Sequence, residues 1–252
     1  MSPEIIILLI GLVALMALGI PICFALMSVA SAILLIFFGP AQMNVLNAAF
    51  VNQMQSESLL AIPMFVLMAA FLQTSGIGSD IYEFFHKWLG GVKGGLAMAT
   101  VATTAVIAAM SGVAATATIA MGLIALPEMI NRGYDKSLAC GPVLAGGCLG
   151  PIIPPSTIMI IMASYTGVSA GWLFVGGVLP GVGLAILFII YIGVRCAINP
   201  KLGPAIPKAE RPSWSEKFRV FGKVVAPIAI IVLVLGCIYA GVATPTEAAG
   251  VG

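Results

Sequence analysis

The chain has 252 residues, 61% of them hydrophobic and only 8% charged, with a formal net charge of +2. A soluble domain solvates its surface with about 25% charged residues. This composition, with a mean hydropathy of +1.15, therefore excludes a soluble globular protein and predicts an all-α polytopic membrane protein without a separate soluble domain. The small net charge and the lack of a basic stripe argue against nucleic acid as a partner, and no Gly-x-x-x-x-Gly-Lys-Ser/Thr loop is present for ATP hydrolysis.

The start, Met1-Ser2-Pro3-Glu4, lacks the positive region of a signal peptide and reads as a helix start, with Ser2 as N-cap and Glu4 in the first turn. Residues 5–38 are almost wholly apolar. As one helix they would run ~50 Å against a hydrocarbon core of ~30 Å, so two short helices broken near Gly19-Ile20-Pro21 are predicted. A polar, uncharged connection follows, then a span over residues 57–74 that contains Pro63. Residues 76–94 mix Asp80, Glu83, His86, Lys87 and Lys93 with Ile81, Phe84, Phe85 and Trp88, the pattern of an amphipathic helix at the membrane interface. His86 reads there as a solvated or snorkelling side chain.

Residues 96–129 are rich in Ala, Gly, Thr and Val and are interrupted by Ser111-Gly112. Small residues allow close helix approach in membranes, and the interruption predicts a re-entrant hairpin of two half-length legs. Charge topology argues the same way. Lys87 and Lys93, Arg132 and Lys136, and the basic cluster 195–223 all belong on the cytoplasmic side, and only an element that returns where it began lets the first two loops share that side.

Residues 137–165 carry the most informative stretch, Gly150-Pro151-Ile152-Ile153-Pro154-Pro155-Ser156-Thr157. Its prolines withhold amides and restrict the residues before them, so no continuous helix crosses it. A helix broken at membrane depth is tolerated only inside protein or against a water-filled cavity. Its first half offers free carbonyls to a cation and its second half free amides to an anion. A span over 169–197 follows, with Trp172 and Arg195 at its ends. Next come a solvated stretch over 198–223, where Pro212-Ser213-Trp214-Ser215-Glu216 would cap a short amphipathic helix, and a further span from residue 224. Gly19-Ile20-Pro21 and Ala243-Thr244-Pro245-Thr246-Glu247 occupy similar places after apolar segments, which predicts the first of two inverted repeats. The apolar pattern is still rising at Gly252, so the second repeat is expected to continue beyond it.

The chemistry to be expected is that of a cation held by neutral oxygens. Ser111 offers a hydroxyl and a carbonyl, Gly150, Ile153 and Pro154 offer carbonyls, and the Ser156 and Thr157 hydroxyls with nearby amides suit a carboxylate. The plainer reading is a kinked helix whose hydroxyls bond their own backbone. No catalytic site is expected: His86, Asp80 and Asp135 lie in polar segments, and Glu57 and Glu247 read as helix caps. The five cysteines, without metal-ligand spacing, read as small buried hydrophobes.

Ser111-Gly112, Pro127-Glu128-Met129, Gly133-Tyr134, Gly150-Pro151-Ile152-Ile153-Pro154-Pro155-Ser156, Pro180-Gly181 and Ala243-Thr244-Pro245-Thr246-Glu247-Ala248-Ala249 together resemble the large membrane subunit (DctM type) of the tripartite ATP-independent periplasmic (TRAP) transporters. The resemblance implies an elevator-type secondary transporter of the bacterial inner membrane, driven by Na⁺. It would import a small organic anion of the carboxylate class, such as a C4-dicarboxylate or sialic acid. A periplasmic solute-binding protein and a small membrane subunit would be its partners. It implies scaffold spans over 1–75, an arm helix over 76–94 and half a transport domain over 95–165 (hairpin 96–129, broken helix 137–165). A span over 169–197, a cytoplasmic linker over 198–223 and the start of the second repeat over 224–252 complete the plan. By the same resemblance Ser111, Gly150, Ile153 and Pro154 hold Na⁺, and Ser156, Thr157 and Gly112 meet the substrate. Val113 and Ala114 stand where members often carry a second serine or similar polar residue. The alternative is a non-transporting membrane assembly or scaffold subunit.

Overall fold

The computed structural model describes residues 3–207 and 210–252, apart from the side chains at 57, 58 and 73. The expected cap at Ser2 and the side chain of Glu57 lie outside the described residues. Every regular element among those residues is a helix, and the chain divides into two compact units, Met1–Ser56 and Glu57–Gly252.

In the first unit α1 (Pro3–Ala17) and α2 (Ile22–Ile33) are separated by four residues, and a π-helical turn, Leu34–Phe38, prolongs α2. The break has two causes. Gly19 takes a left-handed φ of 81°, and Pro21 has no amide to continue a helix. The two helices fold onto each other where Gly11 leaves room for Val29: a Cβ at Gly11 would lie 3.1 Å from Val29 Cγ2. A short 3₁₀ turn then leads to α3 (Met43–Met54).

The second unit is built on a hairpin. Helix α4 (Glu57–Thr74) and the amphipathic α5 (Ile77–Leu89) precede α6 (Gly95–Ser111) and α7 (Ala114–Asn131). Thr100 Oγ1 contacts Met129 Sδ at 3.8 Å, and the Leu96 amide donates to the Tyr134 hydroxyl at 3.2 Å, so α6 and α7 run antiparallel. Each leg is roughly 26 Å long at ~1.5 Å per residue. Helix α8 (Lys136–Gly147) lies on both legs. Gly146 faces Thr104, whose Cβ would be 2.6 Å from an added Cβ, and Gly147 faces Thr118 Oγ1 more closely still. Small residues at this seam bring backbones together, as in other membrane helix packings.

Helices α9 (Thr157–Thr166), α10 (Ala170–Ile198), α11 (Trp214–Tyr239) and α12 (Pro245–Val251) complete the unit. The expected short amphipathic helix and the span after it are one helix, α11. Its start is closed by a capping box in which Ser213 Oγ accepts from the Glu216 amide (3.3 Å) and Glu216 accepts from the Ser213 amide (2.7 Å). Thr244 and Glu247 cap α12 in the same way, the role expected of Glu247. By length and composition α7, α10 and α11 are each able to cross a bilayer. Their outer faces are apolar, with Leu123 75% and Leu179 82% exposed, as lipid contact requires and water does not favour. Of the free cysteines only Cys196 is buried, while Cys23, Cys140 and Cys148 lie on the surface. Most are therefore not the core hydrophobes expected, because in a bilayer an apolar side chain has no need to be inside.

The basic loops gather at one end of this unit. The Gly94 amide donates to Gly203 O (2.9 Å), Asp135 to Leu202 O (3.0 Å) and Ile206 to Gly90 O (3.0 Å). Arg132 Nη1 pairs with Glu210 at 3.0 Å. The hairpin thus returns the chain to the end it left, which is what the charge pattern demanded.

Candidate functional site

At the opposite end of the hairpin, its tip meets the broken helix. Gly112 ends α6 with φ 62°, its amide bonded to Ala108 O at 2.8 Å, and Val113, in an extended conformation, opens α7. The tip must be glycine here for two reasons. A side chain at positive φ is strained, and a Cβ would stand 2.7 Å from Pro155 O and 3.1 Å from the Thr157 amide. Gly150 makes the reciprocal approach: a Cβ there would lie 3.2 Å from the Ala114 amide. The Thr157 hydroxyl completes the junction by donating to Gly112 O at 3.1 Å.

Residues 148–156 between α8 and α9 are irregular. The Ile152 and Ile153 amides both turn back to Leu149 O, at 3.0 and 2.7 Å. Ser156, fully buried, donates to Pro151 O (2.8 Å) and accepts from the Met159 amide (3.4 Å), capping α9. Because residues 151, 154 and 155 have no amide, the carbonyls upstream lose their usual donors. Among the described residues those of Gly150, Ile152, Ile153, Pro154 and Pro155 receive no hydrogen bond, although Gly150, Pro154 and Pro155 are buried. Buried carbonyls are normally paired, so this cluster of unpaired oxygens needs a reason. From its other side α10 closes on the break through Gly181, where a Cβ would lie 2.6 Å from Ile153 Cγ1, and Gly177, where it would lie 2.7 Å from Ile152 O.

Ser111 is 2% exposed. Its hydroxyl lies 3.2 Å from Val113 O and 3.4 Å from Ala108 O, and accepts from the Val113 amide at 3.4 Å. With one proton it donates to one of these carbonyls at a time, and all three contacts are long. A cavity of about 520 Å³ reaches Ser111 and Thr116 between the tip and α4. No charged side chain occurs between residues 137 and 194 or between 94 and 127, so the polarity of the junction is that of backbone and hydroxyls. No group of three or more His, Cys, Asp or Glu side chains is placed to hold a metal among the described residues.

Of the residues singled out from sequence, Gly112 and Thr157 thus meet directly, and Gly150 approaches the start of α7 at Val113 and Ala114. Ser156 stabilises the break from within, and Ser111 sits one residue before the contact. Sequence reasoning missed the residues that hold the hairpin together at its base. Tyr134 accepts from the Leu96 amide, a free donor in the first turn of α6, and its burial pushes the phenol pKa up to about 12. His86 is half-buried, with its Nε2 shielded from water. It stacks on Tyr82 with ring centroids 5.9 Å apart, and its Nε2 stands 3.3 Å from Glu128 Oε1, off the hydrogen-bond direction. Burial holds its pKa below the usual value, outweighing the pull of Glu128, which Arg132 partly neutralises at 3.3 Å. The i, i+4 spacing of Glu128 and Arg132 was the available signal for part of this group; the reach of His86 across to α7 had none.

The family description "Tripartite ATP-independent periplasmic transporter, DctM component" matches residues 9–252. The chain is 34% identical over 247 residues to the C4-dicarboxylate TRAP transporter large permease protein DctM of Vibrio cholerae, covering 97% of this chain and 53% of that protein. It is 30% identical to the ectoine TRAP transporter large permease protein TeaC of Halomonas elongata, over 94% of this chain and 55% of the relative. It is also 30% identical to the sialic acid TRAP transporter permease protein SiaT of Haemophilus influenzae, over 98% of this chain and 39% of that protein. The chain therefore spans about half the length of most curated relatives it matches. With the family description running across the hairpin, the break and the spans alike, the chain belongs to the DctM family of tripartite ATP-independent periplasmic transporters.

Proposed function

We propose that this chain is the first half of the permease subunit of a Na⁺-coupled, binding-protein-dependent secondary transporter that imports a small organic anion across the bacterial inner membrane. The observation that carries the reading is the cluster of unpaired carbonyls at the break, pressed against the hairpin tip. Unpaired neutral oxygens in a charge-free junction suit a hard monovalent cation. In this assignment Ser111, Gly150, Ile153 and Pro154 ligate Na⁺, and Ser156, Thr157 and Gly112 lie on the substrate side, where the first turn of α9 offers amides to a carboxylate. Bound Na⁺ would tie the tip to the break and so prepare the substrate wall.

Residues 95–165 would then move as half of an elevator-type transport domain, with the hairpin re-entrant, residues 1–75 as scaffold and 76–94 as the connecting arm. The second wall of the pocket would come from an inverted second repeat begun by α11 and α12. Support for the repeat is local: α1 and α11 each end on a left-handed glycine, Gly19 or Gly241, shortly before Pro21 or Pro245. A periplasmic solute-binding protein and a small membrane subunit are the partners this reading requires. Relatives are named for C4-dicarboxylate, sialic acid and ectoine; a carboxylate group is common to all three substrates.

The test is Na⁺-dependent uptake by the full-length protein reconstituted in vesicles with its partners. Ser111→Ala and Pro154→Ala should each raise the Na⁺ concentration needed for half-maximal uptake. Unchanged Na⁺ dependence in both would overturn the site.

A further inference from the structure

A second concavity, with a volume of about 660 Å³, lies at the basic end of the second unit between α6, α8 and α10. Its wall is apolar, formed by Val101, Leu138, Leu187, Phe188 and Ile192, and its mouth is polar, formed by Asp135, Ser137, Tyr191 and Arg195. From Leu187 to Arg195 the wall runs about 12 Å along α10 at ~1.5 Å per residue. The cleft opens sideways onto an exposed apolar surface: Leu187 is 61% and Ile190 53% exposed on the same helix.

The charge at the mouth is lopsided. Asp135 is engaged in capping α8, accepting from the Leu138 amide at 3.0 Å. The Arg195 guanidinium makes one hydrogen bond, to the Tyr191 hydroxyl at 2.6 Å, and leans over the Tyr191 ring. Among the described residues its remaining donors have no partner. Lys136 and Lys201 are the chain neighbours of the lining residues Asp135 and Leu202, whose backbones are joined by a 3.0 Å hydrogen bond. Among the described residues, neither lysine nor Arg195 has a carboxylate partner.

From this juxtaposition of an apolar wall with Arg195 at its mouth and Lys136 and Lys201 next to lining residues in the chain, we infer that the cleft is a binding site for an anionic phospholipid. Its phosphate would be held by Arg195 with Lys136 and Lys201, and an acyl chain would lie along Leu187 and Phe188. An arginine fork matches a phosphate diester in geometry as well as charge. Basic residues at the headgroup level attract anionic lipid even where they are exposed. A water-soluble anion would gain from the cations but not from the wall, and an uncharged lipid would gain from the wall alone.

The full-length protein, purified in mild detergent, would be titrated with phosphatidylglycerol or phosphatidylcholine of identical chains and examined by native mass spectrometry. Phosphatidylglycerol should be retained preferentially. Arg195→Gln should weaken that retention at least ~10-fold, as loss of a charge-assisted contact implies, and the Lys136→Gln/Lys201→Gln pair should weaken it less. Ala145→Trp, which fills the cleft from α8, should abolish it at unchanged melting temperature. Should Ala145→Trp fail to fold, the charge variants still decide. Equal retention of the two lipids, or retention unaffected by Arg195→Gln, overturns the inference. So does a photo-crosslinker at Leu187 that captures a second protein chain in the native membrane instead of lipid.

Discussion

The two ends of the hairpin solve the same problem with different materials. At the tip, Gly112, Gly150 and Thr157 bring backbone against backbone, and polarity comes from carbonyls and hydroxyls with no charge nearby. At the base, side chains do the work. His86, Glu128, Arg132 and Glu210 form a chain of contacts from α5 across α7 to the loop after α10, and Lys223 binds Asp80 and Glu83 at 2.9 and 3.0 Å. An ionised side chain at membrane depth is costly, whereas at the interface water and lipid headgroups screen it. The difference lies in what carries the polarity and not in room: at the base too, a Cβ at Gly94 would lie 2.7 Å from Cys196 Sγ and one at Gly203 2.9 Å from Tyr134 Cε1.

The strongest break of this comparison is Gly112→Val. The left-handed φ and the approach to Pro155 O both penalise a side chain, and a cost of about 2–4 kcal/mol is expected. It should be read as a lowered melting temperature in detergent, together with loss of any Na⁺-induced stabilisation. A melting temperature equal to wild type would show that tip and break are not in register.

Tyr134→Phe should have a smaller effect, about 1–2 kcal/mol, because it strands the buried Leu96 amide at the start of α6. The same melting experiment measures it, and the loss should not depend on Na⁺. A Na⁺-dependent loss would mean that base and tip are coupled more tightly than the contacts suggest.

The smallest effect belongs to pH. Burial lowers the His86 pKa from its ordinary 6.5, so the unfolded chain takes up a proton first as pH falls. Stability is then fully present above about 6.5 and declines as pH falls from there through the depressed folded value. His86→Gln should remove that part of the acid sensitivity. A melting temperature of the wild type that rises on acidification, relative to the variant, would indicate that Glu128 rather than burial governs the imidazole.

Much of this was legible in the chain. Proline and glycine act on the backbone locally, so Gly19-Ile20-Pro21, Ser111-Gly112 and the run from Gly150 to Thr157 announced their interruptions without any tertiary information. Capping is equally local, and Ser213 with Glu216 and Thr244 with Glu247 were readable as pairs. The merger of the amphipathic turn with the last long span was not readable. A change in polarity along a chain marks the membrane interface, not the end of a helix, and α11 continues through it. Surface cysteines misled for a related reason: burial in protein and burial in lipid leave the same apolar signature.

By itself, then, the sequence determined that the protein is helical and lipid-embedded, where its helices break, and on which end its basic loops gather. All of these follow from short-range steric limits and from the cost of placing charge in hydrocarbon. Only the tertiary structure decided that the tip of one hairpin rests on the break of another helix, that Ser156 turns inward to Pro151, and that His86 is drawn under Glu128. Those contacts join residues about 40 positions apart or fix one rotamer among several. They are selected by the close approach of packed helices, which no local pattern encodes.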